Sequence, residues 1–307
     1  MQYFTTHPSM QAWPTAEGMM TIGIACICER GGCFVLASDV RATYGTMPHG
    51  RNYQPVGPND QCGKVFRITP SLFGCVAGRL SECHAVISNT VARLRRLGTK
   101  RTRREDVASA VDMARVREMT KIYTWTLAKT WGISLHDFVL GKVPGGKLDP
   151  LLIRACYHLL KGTPLPVYLI IVGFVKGSGV FIRAVNKEGL QEETSPGVYA
   201  IGSGSVHAMR VLNRRGQNYT MSLPRTIFHM HEAVIAARKE KTVGPTYGYI
   251  VIRDRTTKVG FLPSTSPTLE GWMKAYKHLK TTASLDDSRV AAMQMYQQLK
   301  IMEFLKQ

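Results

Sequence analysis

Apolar positions follow two rhythms along the chain, and the points where one replaces the other predict its elements. From residue 21 the sequence reads TIGIACIC, then the turn Glu29-Arg30-Gly31-Gly32, then CFVLA. These are two short strands of small and branched residues joined as a β-hairpin. Residues 64–68 (KVFRI) and 72–77 (LFGCVA), parted by Thr69-Pro70-Ser71, predict two more strands. The period then lengthens. Leu80, Cys83, Val86, Ile87, Val91, Leu94 and Leu97 recur at three- and four-residue steps, which predicts a helix that Gly98 stops. Thr102 and Glu105 have capping-box spacing, so a second helix is expected from there through Val107, Val111, Val116, Met119 and Trp125.

Residues 43–63 and 141–150, rich in Pro and Gly, read as loops, with a short helix expected over 151–160. Strands return at 167–174, 179–184 and 197–201, helices at 206–212 and 223–238, and a last hairpin, 247–253 with 258–262, turns at Asp254-Arg255. Strand groups thus alternate with pairs of helices. That order predicts an α+β fold of two stacked antiparallel sheets covered by helices, and not a doubly wound parallel sheet, which alternates single strands with single helices.

Composition narrows the class. With 307 residues, 44% apolar and 20% charged, the chain can bury a core, which excludes disorder or a coiled coil as its main architecture. Its net charge of +19 favours acidic or polyanionic partners without bearing on fold. The longest apolar run, Val167–Val175, falls well short of the roughly 20 residues a membrane helix needs. The first twenty residues lack the basic start and apolar stretch of a secretory signal, so residues 1–20 read as an extension or propeptide. Seven scattered cysteines without a signal imply free thiols and a cytoplasmic location.

Several features mimic sites. Cys26 and Cys28 share one strand face, but no second Cys/His pair follows at zinc spacing. His229 and His231 stand two apart on an expected helix and do not face each other. No metal and no cofactor are expected. Gly141–Lys147 (GKVPGGK) approaches a phosphate loop, but Leu148 replaces the magnesium-binding hydroxyl. The basic run Arg93, Arg95, Arg96, Lys100, Arg101, Arg103, Arg104 reads as a solvated face or a subunit contact. Nucleic acid is the sharper alternative, but no aromatic residues interleave the run, and nucleic acid is not the expected partner.

One ordered set carries chemistry. Thr21-Ile-Gly opens the first hairpin and Ala37-Ser38-Asp39-Val40-Arg41 ends it; Lys64-Val-Phe-Arg-Ile, Cys75-Val-Ala-Gly78 and Gly202-Ser203-Gly204-Ser205 follow. Together, over residues 21–262, these resemble the proteasome-type β subunits of the N-terminal nucleophile hydrolases, including bacterial proteasome-like proteins. The resemblance implies a four-layer αββα sandwich over residues 21–265; beyond it the mixed polar and apolar pattern of residues 266–307 reads as a C-terminal helical extension. It implies a threonine-type peptidase with Thr21 as nucleophile and its own amine as base. Asp39 and Lys64 would be the charged pair beside it, Gly78 the oxyanion N–H, and Ser203 part of the network around the amine. Implied partners are peptide or unfolded-protein substrates, other copies of the chain in a ring, and an ATP-dependent unfoldase; no membrane is expected.

The chemistry is self-consistent. A threonine hydroxyl needs a base, an α-amine has an ordinary pKa near 7.7 and is partly neutral at physiological pH, and a nearby ammonium lowers that pKa further. The hairpin before Asp39 is longer than the family's usual one, but the Thr21–Asp39 offset is even, so both keep one face if the extra residues lengthen the hairpin evenly. Met20 precedes Thr21 where the family carries Gly, which leaves three routes: translation from Met20 with methionine removal, self-cleavage, or a retained extension that blocks activity. A non-catalytic ring or scaffold subunit is the alternative. The family's later acid and hydroxyl have Glu240 and Thr242 as candidates.

Overall fold

The computed structural model describes residues 22–39, 54–55, 64–98, 102–143, 146–175, 179–186, 189–193, 197–240, 243, 247–253, 258–263 and 270. Thr21, Thr242, the 1–20 extension and the expected C-terminal helices lie outside them, apart from Glu270. Within them the fold is α+β, with two large antiparallel sheets and six α-helices.

The first sheet holds β1 (Gly23–Cys28), β2 (Cys33–Asp39), β11 (Val198–Ile201), β12 (Tyr247–Arg253) and β13 (Lys258–Pro263), in the order β11-β1-β2-β12-β13. The second holds β3 (Gln54–Pro55), β4 (Val65–Thr69), β5 (Leu72–Gly78), β8 (Val167–Val175), β9 (Gly179–Val185) and β10 (Leu190–Glu193), in the order β10-β9-β8-β5-β4-β3. The helices are α1 (Leu80–Leu97), α2 (Arg104–Trp131), α3 (Leu135–Leu140), α4 (Pro150–Lys161), α5 (Ser205–Arg214) and α6 (Leu223–Ala237).

Strand alternation sorts the apolar residues into cores. Ile24, Cys26 and Cys28 of β1 with Cys33, Val35 and Ala37 of β2 pack against Leu212 of α5 and Ile227, Phe228 and Val234 of α6. The opposite faces of the same strands, Ala25, Ile27, Phe34 and Leu36, meet Phe73 and Cys75 of β5 and Ile170 and Val172 of β8. The far face of the second sheet, with Leu169 and Ile171, packs on Cys83, Val86, Ile87, Val91 and Leu94 of α1 and Val107, Ala110 and Val111 of α2. Strand β8 reads as one unbroken apolar run because both its faces are buried.

Most boundaries match the expectations, and the differences have local causes. The second helix begins at Arg104, not at Thr102: the Arg103 N–H donates to Asp106 Oδ2 at 2.8 Å, while Thr102 Oγ1 donates back to Gly98 O at 3.2 Å. Four helices, where the sequence predicts three, separate β5 from β8; the added one is α3. The second half of α2 joins α3 and α4 around a small core of its own: Leu127, Ile133, Leu148, Cys156 and Leu160. The GKVPGGK segment forms a two-stranded ribbon, β6 (Lys142–Val143) and β7 (Gly146–Lys147). Strand β10 escapes notice in the sequence because it is short and polar. Arg104 leaves the basic run, since its guanidinium lies 5.6 Å from the Phe181 ring centre and donates to Val180 O at 3.3 Å. No helix among the described residues is long and apolar enough to cross a membrane.

The six described cysteines are free and buried. Burial pushes the Cys75 and Cys83 thiols from 9.0 up to about 12. The native state therefore keeps protons that the unfolded chain releases. Stability from this source is intact below pH 9.0 and declines as pH rises from there toward about 12. Denaturation midpoints at about pH 8 and about pH 10 should show the decline, and the Cys75→Ala/Cys83→Ala variant should show a shallower one. An equal decline in that variant refutes the assignment.

Candidate functional site

Of the residues expected from the sequence to act together, Asp39, Lys64, Gly78 and Ser203 are described and lie toward one end of the two stacked sheets. Register defines that end. Gly23 pairs with Ser38 on one side and Ile201 on the other, Tyr247 pairs with Asp39, Val65 with Cys75, and Gly78 with Val167. The start of β1, the end of β2, the end of β11 and the start of β12 are therefore neighbours in the first sheet. The start of β4 and the end of β5 are neighbours in the second. The sheets meet closely here: a Cβ on Gly23 would lie 2.8 Å from Cys75 Sγ.

Asp39 and Lys64 bridge the two sheets at this end. Lys64 Nζ donates to both Asp39 carboxylate oxygens, at 3.0 and 3.1 Å. The Ile22 N–H donates to Asp39 Oδ1 at 3.1 Å, and the Asp39 N–H to Ile22 O at 3.3 Å. The carboxylate is thus fixed to the backbone one residue after Thr21. The pair is deeply buried, with Asp39 1% and Lys64 8% exposed. Two charges removed from water incur a desolvation cost that a single ion pair barely offsets, and apolar residues of equal size would serve stability as well or better.

The hairpin register shows which face Asp39 takes, while Thr21, its partner in the expectation, lies outside the described residues. Cys28 faces Cys33 and Gly23 faces Ser38, so partners across this hairpin carry numbers of opposite parity. Asp39 shares the face of Ile22 and Ile24, not that of the odd-numbered residues of β1. An even offset fixes the face only along one continuous strand; across a turn, the turn length decides it.

Gly78 closes β5 with φ +111°, a conformation that side chains resist, and a Cβ there would sit 2.2 Å from Pro166 O. The same carbonyl accepts the Arg79 N–H at 2.9 Å, and α1 begins one residue later. Ser203 lies in the turn between β11 and α5, which the Ser205 N–H closes by donating to Gly202 O at 3.1 Å. Glu240, after α6, directs its carboxylate to His207 Nε2 at 3.0 Å. Sequence reasoning missed His207, because a lone histidine in an amphipathic helix carries no signal.

Comparison with protein-family models finds no match, and comparison with curated proteins finds none either. Among solved structures, the chain is similar to the Gly-1 mutant of Anbu from Hyphomicrobium sp. strain MC1, with a TM-score of 0.52 and 17% identity, over 85% of this chain and 96% of that one. Anbu is a proteasome-like bacterial protein. At this identity the likeness is one of fold, and the two antiparallel sheets and six helices are consistent with a proteasome-like architecture.

Proposed function

We propose that the chain is a threonine-type peptidase built on a four-layer αββα sandwich, with Thr21 as its nucleophile. The three core clusters, helix to sheet, sheet to sheet and sheet to helix, support the layered reading. The observation that carries the function is the buried Lys64–Asp39 pair, bonded to the Ile22 N–H beside Thr21. An ion pair that stability does not require, bonded to the backbone of the residue that follows a threonine in the sequence, has a chemical use.

The residues divide the work as follows. The Thr21 amine takes the proton from Thr21 Oγ, which attacks a peptide carbonyl. The Lys64 ammonium lowers the amine's pKa and stabilises developing negative charge, and Asp39 holds Lys64 charged and in place. The Gly78 N–H receives the oxyanion, at a position where no Cβ blocks a substrate. The amine proton passes to the leaving nitrogen, and water then hydrolyses the threonine ester. Ser203 belongs to the network around the amine. Peptides or unfolded proteins are the substrates, several copies assemble as a ring, and an ATP-dependent unfoldase would feed it.

The mature N-terminus tests this. Intact-mass analysis of the purified chain should show Thr21 as the first residue, and that species should hydrolyse peptides, whereas a chain retaining residues 1–20 should not. A chain that keeps the extension under all conditions and has no turnover is instead the scaffold subunit.

A further inference from the structure

Helix α5 starts next to Ser203 without the usual support. Its N-cap, Gly204, makes no side-chain hydrogen bond, and its first turn has no acidic residue. Support comes from the segment after α6. The Glu240 N–H donates to Ala237 O at 3.0 Å and the Val243 N–H to Glu240 O at 3.0 Å. Gly204 lies against Ala237 and Val243: a Cβ there would be 2.7 Å from Ala237 Cβ and 3.0 Å from Val243 Cγ2. Val243 is buried in the cluster that also holds Ile22 and Ala37, so this joint adjoins the site end of β1 and β2.

Across the joint, His207 Nε2 donates to Glu240 Oε1 at 3.0 Å, linking residues 33 positions apart. His207 is the third residue of α5, one turn beyond Ser203. The arrangement brings a carboxylate to the positive end of α5, where the helix dipole favours it. The other end of the helix pair is fixed separately, by Arg215 donating to both carboxylate oxygens of Glu232 at 2.6 and 2.5 Å.

We propose that the His207–Glu240 hydrogen bond is a clamp that holds the Gly202–Ser205 turn, and Ser203 with it, against the segment after α6. His207 and Glu240 are positioning residues. Only their effect on turnover rests on the peptidase reading; the clamp itself does not. With side chains 29% and 44% exposed, the pair adds little to global stability, so its loss loosens the turn without unfolding the chain.

Hydrogen exchange on the full chain, read by mass spectrometry, tests the clamp. His207→Ala should speed exchange at residues 202–206 by about five- to tenfold, the factor one lost hydrogen bond implies, with the global unfolding midpoint nearly unmoved. His207→Gln, whose amide can donate to the same carboxylate, should restore protection. On a peptide substrate, His207→Ala should lower kcat by about the same factor and leave KM unchanged. Unchanged exchange at residues 202–206, faster exchange throughout the chain, or no rescue by Gln overturns the clamp, whatever turnover does. Faster exchange confined to the turn, in a chain that has a free Thr21 amine and hydrolyses no peptide, upholds the clamp and overturns the peptidase reading.

Discussion

A chain that begins at residue 21 and carries Thr21→Ala should lose at least about a thousandfold in peptide turnover while keeping its fold, because the alanine amine has no hydroxyl to activate. Thr21→Ser is the informative companion, since it keeps both the amine and an oxygen one bond from Cβ. It should retain measurable turnover and should form a covalent adduct with an acylating inhibitor, detectable as a mass increase on the first residue. Thr21→Ala should form none. Turnover in Thr21→Ala equal to that of the unaltered chain would remove the nucleophile, and with it the mechanism.

The second large effect concerns Lys64. Lys64→Met removes the ammonium 3.0 Å from Asp39 and leaves a carboxylate that is 1% exposed. The expected loss is about 3–5 kcal/mol of folding stability, the range for breaking one side of a buried pair. Turnover falls as well, and the single variant does not separate the two consequences. The double variant Asp39→Asn/Lys64→Met does. It neutralises both members, and the Asn side-chain oxygen can still accept the Ile22 N–H that Asp39 Oδ1 accepts at 3.1 Å. Most of the lost stability should return, to within about 1–2 kcal/mol of the unaltered chain. Turnover should not return, because no ammonium remains to lower the pKa of the Thr21 amine. Denaturant titration and peptide hydrolysis measured on the three variants decide the matter. Recovery of both quantities in the double variant would make the pair structural only.

A design logic links these expectations to the clamp. The site is not carried by one loop. The proposed site lies where four strand ends of one sheet meet two of the other, so each described residue is held by a different element: Ile22 by the approach to β1, Asp39 by β2, Lys64 by the approach to β4, Gly78 by the end of β5 and Ser203 by the turn into α5. The buried ion pair fixes the junction between the sheets, and the half-exposed His207–Glu240 bond fixes the rim. Deep, doubly bonded charges resist motion, whereas a single bond near the surface yields first.

Most of the elements were legible in the order of residues alone. Short apolar runs bounded by turn residues placed β1, β2, β4, β5 and β8, and the three- and four-residue spacing of Cys83, Val86, Ile87, Val91 and Leu94 placed α1, because these patterns follow from one residue's relation to its near neighbours. Asp39, Lys64, Gly78 and Ser203 were singled out by the family resemblance of their ordered motifs, and each sits at a strand end or turn. Only the tertiary structure decided which strand lies beside which, that Asp39 faces with Ile22, that α2 continues into a helical outgrowth, and that Glu240 finds a histidine. Those facts depend on turn length and on contacts between residues far apart in the chain. A periodic pattern contains no information about either, because it specifies which face is buried and not what buries it.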